Sequence, residues 1–131
     1  SPCVHNVLSS KIGANEKAYE MYLRTARLDL DDYNKEVDEG LHITSMAGTW
    51  MSVVEGFAGV RVNEKGLFVN PILPKKWNEY SFNMLYRENP LRICVKPNLI
   101  ELINKSDHSI KVHVFGEEIL IESNQTISKA C

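Results

Sequence analysis

Apolar residues recur at helical spacing up to about residue 60 and alternate in short runs after it. The chain therefore reads as helices followed by strands. Ser1 and Pro2 make a helix start, a hydroxyl cap followed by a proline whose φ already suits a helix. That helix runs to about Ile12 and stops at Gly13. Asn15 is placed to cap a second helix, in which Ala18, Met21, Tyr22, Thr25 and Ala26 share a face and Glu20 and Arg24 form an i,i+4 pair. The period fades over Leu28–Tyr33, and a polar loop follows to Gly40.

The third helical stretch, Ile43 to Phe57, has a single charged side chain, Glu55. Ile43, Met46, Ala47, Trp50, Val54 and Phe57 keep the helical period, and small residues at Ala47, Gly48, Ser52 and Gly56 let backbones come close. A helix apolar nearly all round needs neighbours on most sides, and three helices do not supply them. The helical part is therefore expected to belong to a larger assembly. An incomplete helical ring would expose apolar faces, so self-association or domain exchange is expected of the chain in isolation.

Gly59 ends the helical region. Val60–Val62 and Leu67–Val69 flank a turn at 63–66, which predicts a hairpin. Tyr80, Phe82, Met84 and Tyr86 alternate with Ser81, Asn83 and Leu85, the pattern of a half-buried strand. Leu91–Val95, Leu99–Ile103, Ile110–Phe115 and Glu118–Ile121 follow, separated by turn signals such as Pro97–Asn98. Short strands at this spacing predict an antiparallel sandwich.

Composition narrows the class. The length is 131 residues, with 44% hydrophobic and 24% charged residues, ordinary globular usage. A net charge of −2 lacks the basic excess of a nucleic-acid binder, so no nucleic-acid partner is expected. No apolar run is long enough to span a membrane, and no signal peptide is visible. Cys3, Cys94 and Cys131 are far apart and form no Cys-x-x-Cys pair, so reduced thiols, a cytoplasmic location and no metal are expected. Without a secretion signal, the sequons at Asn104 and Asn124 read as chance matches. There is no initiator Met, which suggests a chain processed or trimmed from something longer.

The candidate chemistry lies in Gly40-Leu41-His42-Ile43-Thr44-Ser45-Met46-Ala47-Gly48. His42 and Ser45 are three apart and share a helical face where the third helix begins. An imidazole, hydroxyls and unpaired N–H groups at a helix start suit an anion such as phosphate. The plainer reading is that Ser45 or Thr44 caps the helix and His42 is a satisfied, half-buried histidine. His5, His108 and His113 have no carboxylate or cysteine at ligand spacing. Asp29, Asp31 and Asp32 lack the spacing of a calcium loop and read as a chain turning out of a helix. Lys75, Lys76 and Trp77 read as a solvated loop with a packing tryptophan, ahead of a sugar contact.

Several ordered motifs resemble the C-terminal part of family 65 glycoside hydrolases, which include the maltose, trehalose and kojibiose phosphorylases. They are Ser1-Pro2-Cys3-Val4-His5, Arg27-Leu28-Asp29-Leu30-Asp31-Asp32-Tyr33-Asn34, the 40–50 segment, Gly56-Phe57-Ala58-Gly59-Val60-Arg61, Leu67-Phe68-Val69-Asn70-Pro71 and Leu73-Pro74-Lys75-Lys76-Trp77. The resemblance implies an α+β chain. Residues 1–59 would be the last helices of an (α/α)6 catalytic barrel, itself incomplete here, and residues 60–131 a small C-terminal β-sandwich of jelly-roll type.

It also implies an activity. His42 and Ser45, with Thr44 as a weaker candidate, would bind inorganic phosphate, the co-substrate of an inverting disaccharide phosphorylase. Phosphate would attack the anomeric carbon of an α-linked glucosyl disaccharide in place of an activated water. The general-acid Glu is expected upstream of Ser1, so no catalytic residue is expected within the chain, and the chain alone is expected to be inactive. Glu55 is no substitute, since it lies about three turns beyond the phosphate motif. The expected partners are the rest of the barrel, the disaccharide and phosphate, in a homo-oligomer without cofactor or membrane. The alternatives are a non-catalytic remnant that packs or binds carbohydrate, and a trehalase-like hydrolase of the same family.

Overall fold

The computed structural model describes residues 1–32 and 35–131, apart from the side chain of Val37. Tyr33 and Asn34, which close one of the motifs above, lie outside the described residues. The chain divides into two units, Ser1–Gly59 and Val60–Cys131.

The first unit is helical. Helix α1 spans Pro2–Lys11 and stops before Gly13, whose φ of +78° suits glycine. The Ser1 hydroxyl makes no cap bond; it sits 3.1 Å from the Cys3 Sγ. Helix α2 spans Asn15–Ala26 with Ala14 as its cap residue, so Asn15 lies inside the helix and does not cap it. Its buried face is Ala18, Met21 and Thr25, and Glu20 takes Lys17 at 3.0 Å. Asn6 of α1 is fully buried and donates from Nδ2 to the Ala18 carbonyl at 2.7 Å, tying α1 to α2. A four-residue helix α3, Leu28–Asp31, is braced by a two-pronged Arg27–Asp31 pair at 2.6 and 2.7 Å. It ends in the left-handed region at Asp32, and a 3-10 turn at Val37–Glu39 follows.

Helix α4, Ile43–Met51, runs on as a π-helical segment, Ser52–Phe57. The sequence pattern gives no sign of that change of pitch. The Ala58 N–H reaches back five residues to the Val53 carbonyl at 2.8 Å, and the buried Ser52 hydroxyl donates to the Gly48 carbonyl at 2.9 Å. The small residues do allow close approach. A Cβ on Gly48 would meet Cys3 at 3.1 Å and Thr25 at 3.2 Å. Burial along this helix is uneven. Val54 and Phe57 are buried, whereas Ile43 is 76% and Trp50 55% exposed.

The second unit holds two four-stranded sheets. One has the order β1-β2-β6-β7, formed by Arg61–Asn63, Gly66–Val69, Ile110–Val114 and Glu117–Ile121. The other has the order β3-β4-β5-β8, formed by Tyr80–Tyr86, Asn89–Lys96, Leu99–Asn104 and Thr126–Ala130. Alternate residues build the core: Leu67, Val69, Leu91, Ile93, Val95, Ile100, Leu102, Val112, Val114 and Ile121 are all buried.

Two features depart from the sequence expectation. The β2–β6 pair is parallel, with Leu67 opposite Val112 and Val69 opposite Val114. The intervening chain builds most of the other sheet, which supplies the long connection a parallel pair needs. Strand β8 has no apolar alternation beyond Ile127, so its pattern is silent. It is an edge strand held by its ladder to β5, with Leu99 opposite Ala130 and Ile103 opposite Thr126.

Candidate functional site

His42 is the cap residue of α4, and its carbonyl accepts from the N–H groups of Ser45 at 2.9 Å and Met46 at 3.2 Å. The turn before it passes through Gly40 at φ +98°, a conformation that side chains rarely adopt. No side chain caps the helix. The hydroxyls of Thr44 and Ser45 are therefore not spent on the helix start, against one half of the plainer sequence reading; its other half, a satisfied and half-buried His42, agrees with the structure.

The imidazole is held from one side. Its Nδ1 lies 2.5 Å from Asp29 Oδ1, and the His42 backbone N–H donates to Asp29 Oδ2 at 3.0 Å. One carboxylate from α3 thus grips both the ring and the main chain of His42. The two side chains are only 25% and 18% exposed. The other ring nitrogen, Nε2, lies 3.7 Å from Glu36 Oε2, beyond hydrogen-bond distance.

The bond to Asp29 raises the His42 pKa above its ordinary 6.5; burial opposes this, and the charges of Asp29, Glu36 and Glu39 add to it. The same bond, with that from the His42 backbone, lowers the Asp29 carboxyl below its ordinary 3.8. The stability the pair adds is complete above 3.8 and below 6.5. It is lost as pH falls through the lowered Asp29 value or rises through the raised His42 value.

Thr44 and Ser45 line a hollow of about 450 Å³ with Ser1, Arg24, Arg27 and Asp31 among its walls. Thr44 and Ser45 thus open on this hollow, while His42, at the cap position beside them, is held by Asp29. Sequence reasoning missed Asp29, reading it as part of a turn. A signal was available: Arg27 and Asp31 satisfy each other at i,i+4 spacing, which leaves Asp29 of the same short helix for another partner.

The remaining candidates stay apart from this site. His5 is exposed and its Nδ1 lies 3.0 Å from the Ser1 carbonyl. His113 stacks on Phe68 with ring centres 4.4 Å apart, and Trp77 packs edge-on against Tyr80 at 5.8 Å. Among the described residues no group of three or more His, Cys, Asp and Glu is placed to hold a metal. None of their helices is long and apolar enough to cross a membrane.

The helical unit and the two-sheet unit each match a domain of one family of carbohydrate-active proteins. Residues 1–51 match the glycosyl hydrolase family 65 central catalytic domain, and residues 60–121 match the C-terminal domain of that family. The chain belongs to glycosyl hydrolase family 65. It is 44% identical over 124 residues to a maltose phosphorylase of Bacillus subtilis, covering 93% of this chain and 16% of that protein. It is 40% identical over 126 residues to an alpha,alpha-trehalose phosphorylase of Thermoanaerobacter brockii, covering 95% of this chain and 16% of that protein. A solved structure of a candidate kojibiose phosphorylase from the human microbiome superposes with a TM-score of 0.91 at 30% identity, covering 100% of this chain and 17% of that one. The chain thus spans about one sixth of the length of the relatives it matches.

Proposed function

We propose that this chain is the C-terminal portion of an inverting disaccharide phosphorylase and supplies part of its phosphate site. The observation that carries the reading is the clamped His42, with Nε2 turned away from Asp29, at a helix start whose hydroxyls are not used as caps. In this reading His42 and Ser45 donate to phosphate oxygens, and Thr44 is a weaker third donor. Phosphate is already an anion, so it needs no base to activate it as a nucleophile. Its oxygen forms the new bond to the anomeric carbon as the glycosidic C–O bond breaks, with inversion. The proton for the leaving oxygen comes from a general acid expected upstream of Ser1. Residues 1–59 are then the last helices of an (α/α)6 barrel, and residues 60–131 its jelly-roll companion.

The apolar surface of the helical unit supports this assignment. Leu8, Ile12, Ile43, Met46 and Trp50 are all at least half exposed, which suits contact with the remainder of the barrel. The isolated 131-residue chain is accordingly expected to associate as its concentration rises. Light scattering of the parent should show growing particle mass, and Ile43→Lys with Trp50→Lys should reduce it. A clean monomer at high concentration would count against the assignment.

The test of function uses the intact enzyme. Cleavage of an α-glucosyl disaccharide should require inorganic phosphate and release β-glucose 1-phosphate. His42→Ala removes a charge-assisted donor, so the KM for phosphate should rise about tenfold or more while the KM for disaccharide changes little. Turnover indifferent to phosphate in the parent enzyme would overturn the reading.

A further inference from the structure

We propose that Asp29 is a positioning residue for the phosphate site, fixing the His42 ring so that Nε2–H is presented to a phosphate oxygen. The inference rests on the phosphate role given to His42 above and extends it to a residue of another element. Its basis is geometric. A single carboxylate takes the His42 ring at 2.5 Å and the His42 backbone N–H at 3.0 Å. Two bonds to one residue fix both the cap position and the rotation of the ring, which one bond would not.

The clamp also fixes the protonation state that phosphate needs. With a carboxylate at Nδ1, that nitrogen carries the proton and donates it. In the neutral ring Nε2 then holds a lone pair, which repels a phosphate oxygen. Only the imidazolium donates at both nitrogens. The charged groups facing the ring are Asp29 of α3, Glu36 of the following loop and Glu39 of the 3-10 turn, and all three favour the imidazolium. Phosphate use should therefore fall as pH rises through the raised His42 value, and Asp29 should set where that limb lies.

The decisive substitution is Asp29→Asn, which keeps the shape and an acceptor oxygen but removes the charge. Two readouts are needed: the NMR titration of the His42 ring, and the KM for phosphate against pH in the intact enzyme. In Asp29→Asn the ring titration and the alkaline limb of phosphate use should move together to lower pH. The KM for phosphate near neutrality should rise several-fold, with the KM for disaccharide unchanged. Asp29→Glu, which restores the charge, should recover part of the limb, and a misfolded variant would show itself by lost helical circular dichroism and lost disaccharide cleavage, since an unfolded histidine still titrates near its ordinary value. An unmoved titration or an unmoved phosphate limb in a folded Asp29→Asn enzyme overturns this proposal alone. If His42→Ala itself leaves phosphate use unchanged, the functional reading falls and this proposal falls with it.

Discussion

Gly56→Ala is expected to destabilise the helical unit by about 3 kcal/mol. A Cβ at this position would lie 2.0 Å from Asn6 Oδ1 and 3.1 Å from Asn6 Cγ, where ordinary contact begins at 3.4 Å. Asn6 has no easy retreat. It is fully buried, and its Nδ2 is held at 2.7 Å by the Ala18 carbonyl. Making room for a methyl group means either breaking that bond, which leaves buried polar groups unpaired at about 1–3 kcal/mol, or forcing the π-helical segment away from α1 at a similar cost. A double-mutant cycle separates this clash from a general intolerance of alanine. In an Asn6→Ala background the same Gly56→Ala change should cost less than about 1 kcal/mol, because the obstructing atoms are gone. Urea unfolding followed by helical circular dichroism measures all four corners. A single variant within about 0.5 kcal/mol of the parent would mean that the two helices are not packed this closely.

Asn104→Ala should cost the β-sandwich about 3–4 kcal/mol. This side chain joins three parts of the unit. Its Nδ2 donates to the carbonyls of His108 at 2.6 Å, Ile121 at 3.0 Å and Glu122 at 3.1 Å. Its Oδ1 accepts from the Ser106 N–H at 2.9 Å and the Ser106 hydroxyl at 2.7 Å. The residue is 1% exposed, so water does not replace what alanine removes. The informative companion is Asn104→Asp, nearly identical in shape. At neutral pH its carboxylate only accepts, and it would face three carbonyl oxygens that also only accept. Burial and those oxygens raise its pKa, and once protonated the group donates again. The loss should therefore shrink as pH falls through that raised value, the opposite of an ordinary acid-destabilised carboxylate. Thermal unfolding across pH reads this directly, and a pH-independent loss in Asn104→Asp would contradict the network. The same burial settles the role of this sequon, since the folded sandwich has no space for a glycan at Asn104.

Local patterns marked most of the elements. Start and stop signals at Ser1, Pro2 and Gly13 placed α1, apolar period placed α2 and α4, and alternation placed β3 and β4 with the correct inward faces. Beyond α1, each is an element whose buried face is written in its own residues. Helix caps were less legible. Ser1 and Asn15 are good capping residues, yet Ser1 holds the cap position without a side-chain cap bond and Asn15 lies inside α2, one residue past its cap. Strand β8 was invisible, because its ladder partner β5, and not its side chains, makes it a strand. The π-helical turn was invisible too, since the apolar period of Ile43–Phe57 runs through it unbroken.

The candidate site divides in the same way. The sequence by itself determined the order of helices before strands, the division near residue 60 and the family, and it marked the His42–Ser45 motif as the candidate. These are properties of neighbouring residues and of periods along one chain. Tertiary structure alone decided that Asp29, thirteen positions before His42, would hold its ring and main chain together. It also decided that β2 would lie parallel to β6 and that a sequon would become a buried knot. Each of these joins residues that loops carry together from separate elements. No pattern local to either partner encodes such a meeting, because its free energy comes from the pair and exists only once the chain has folded.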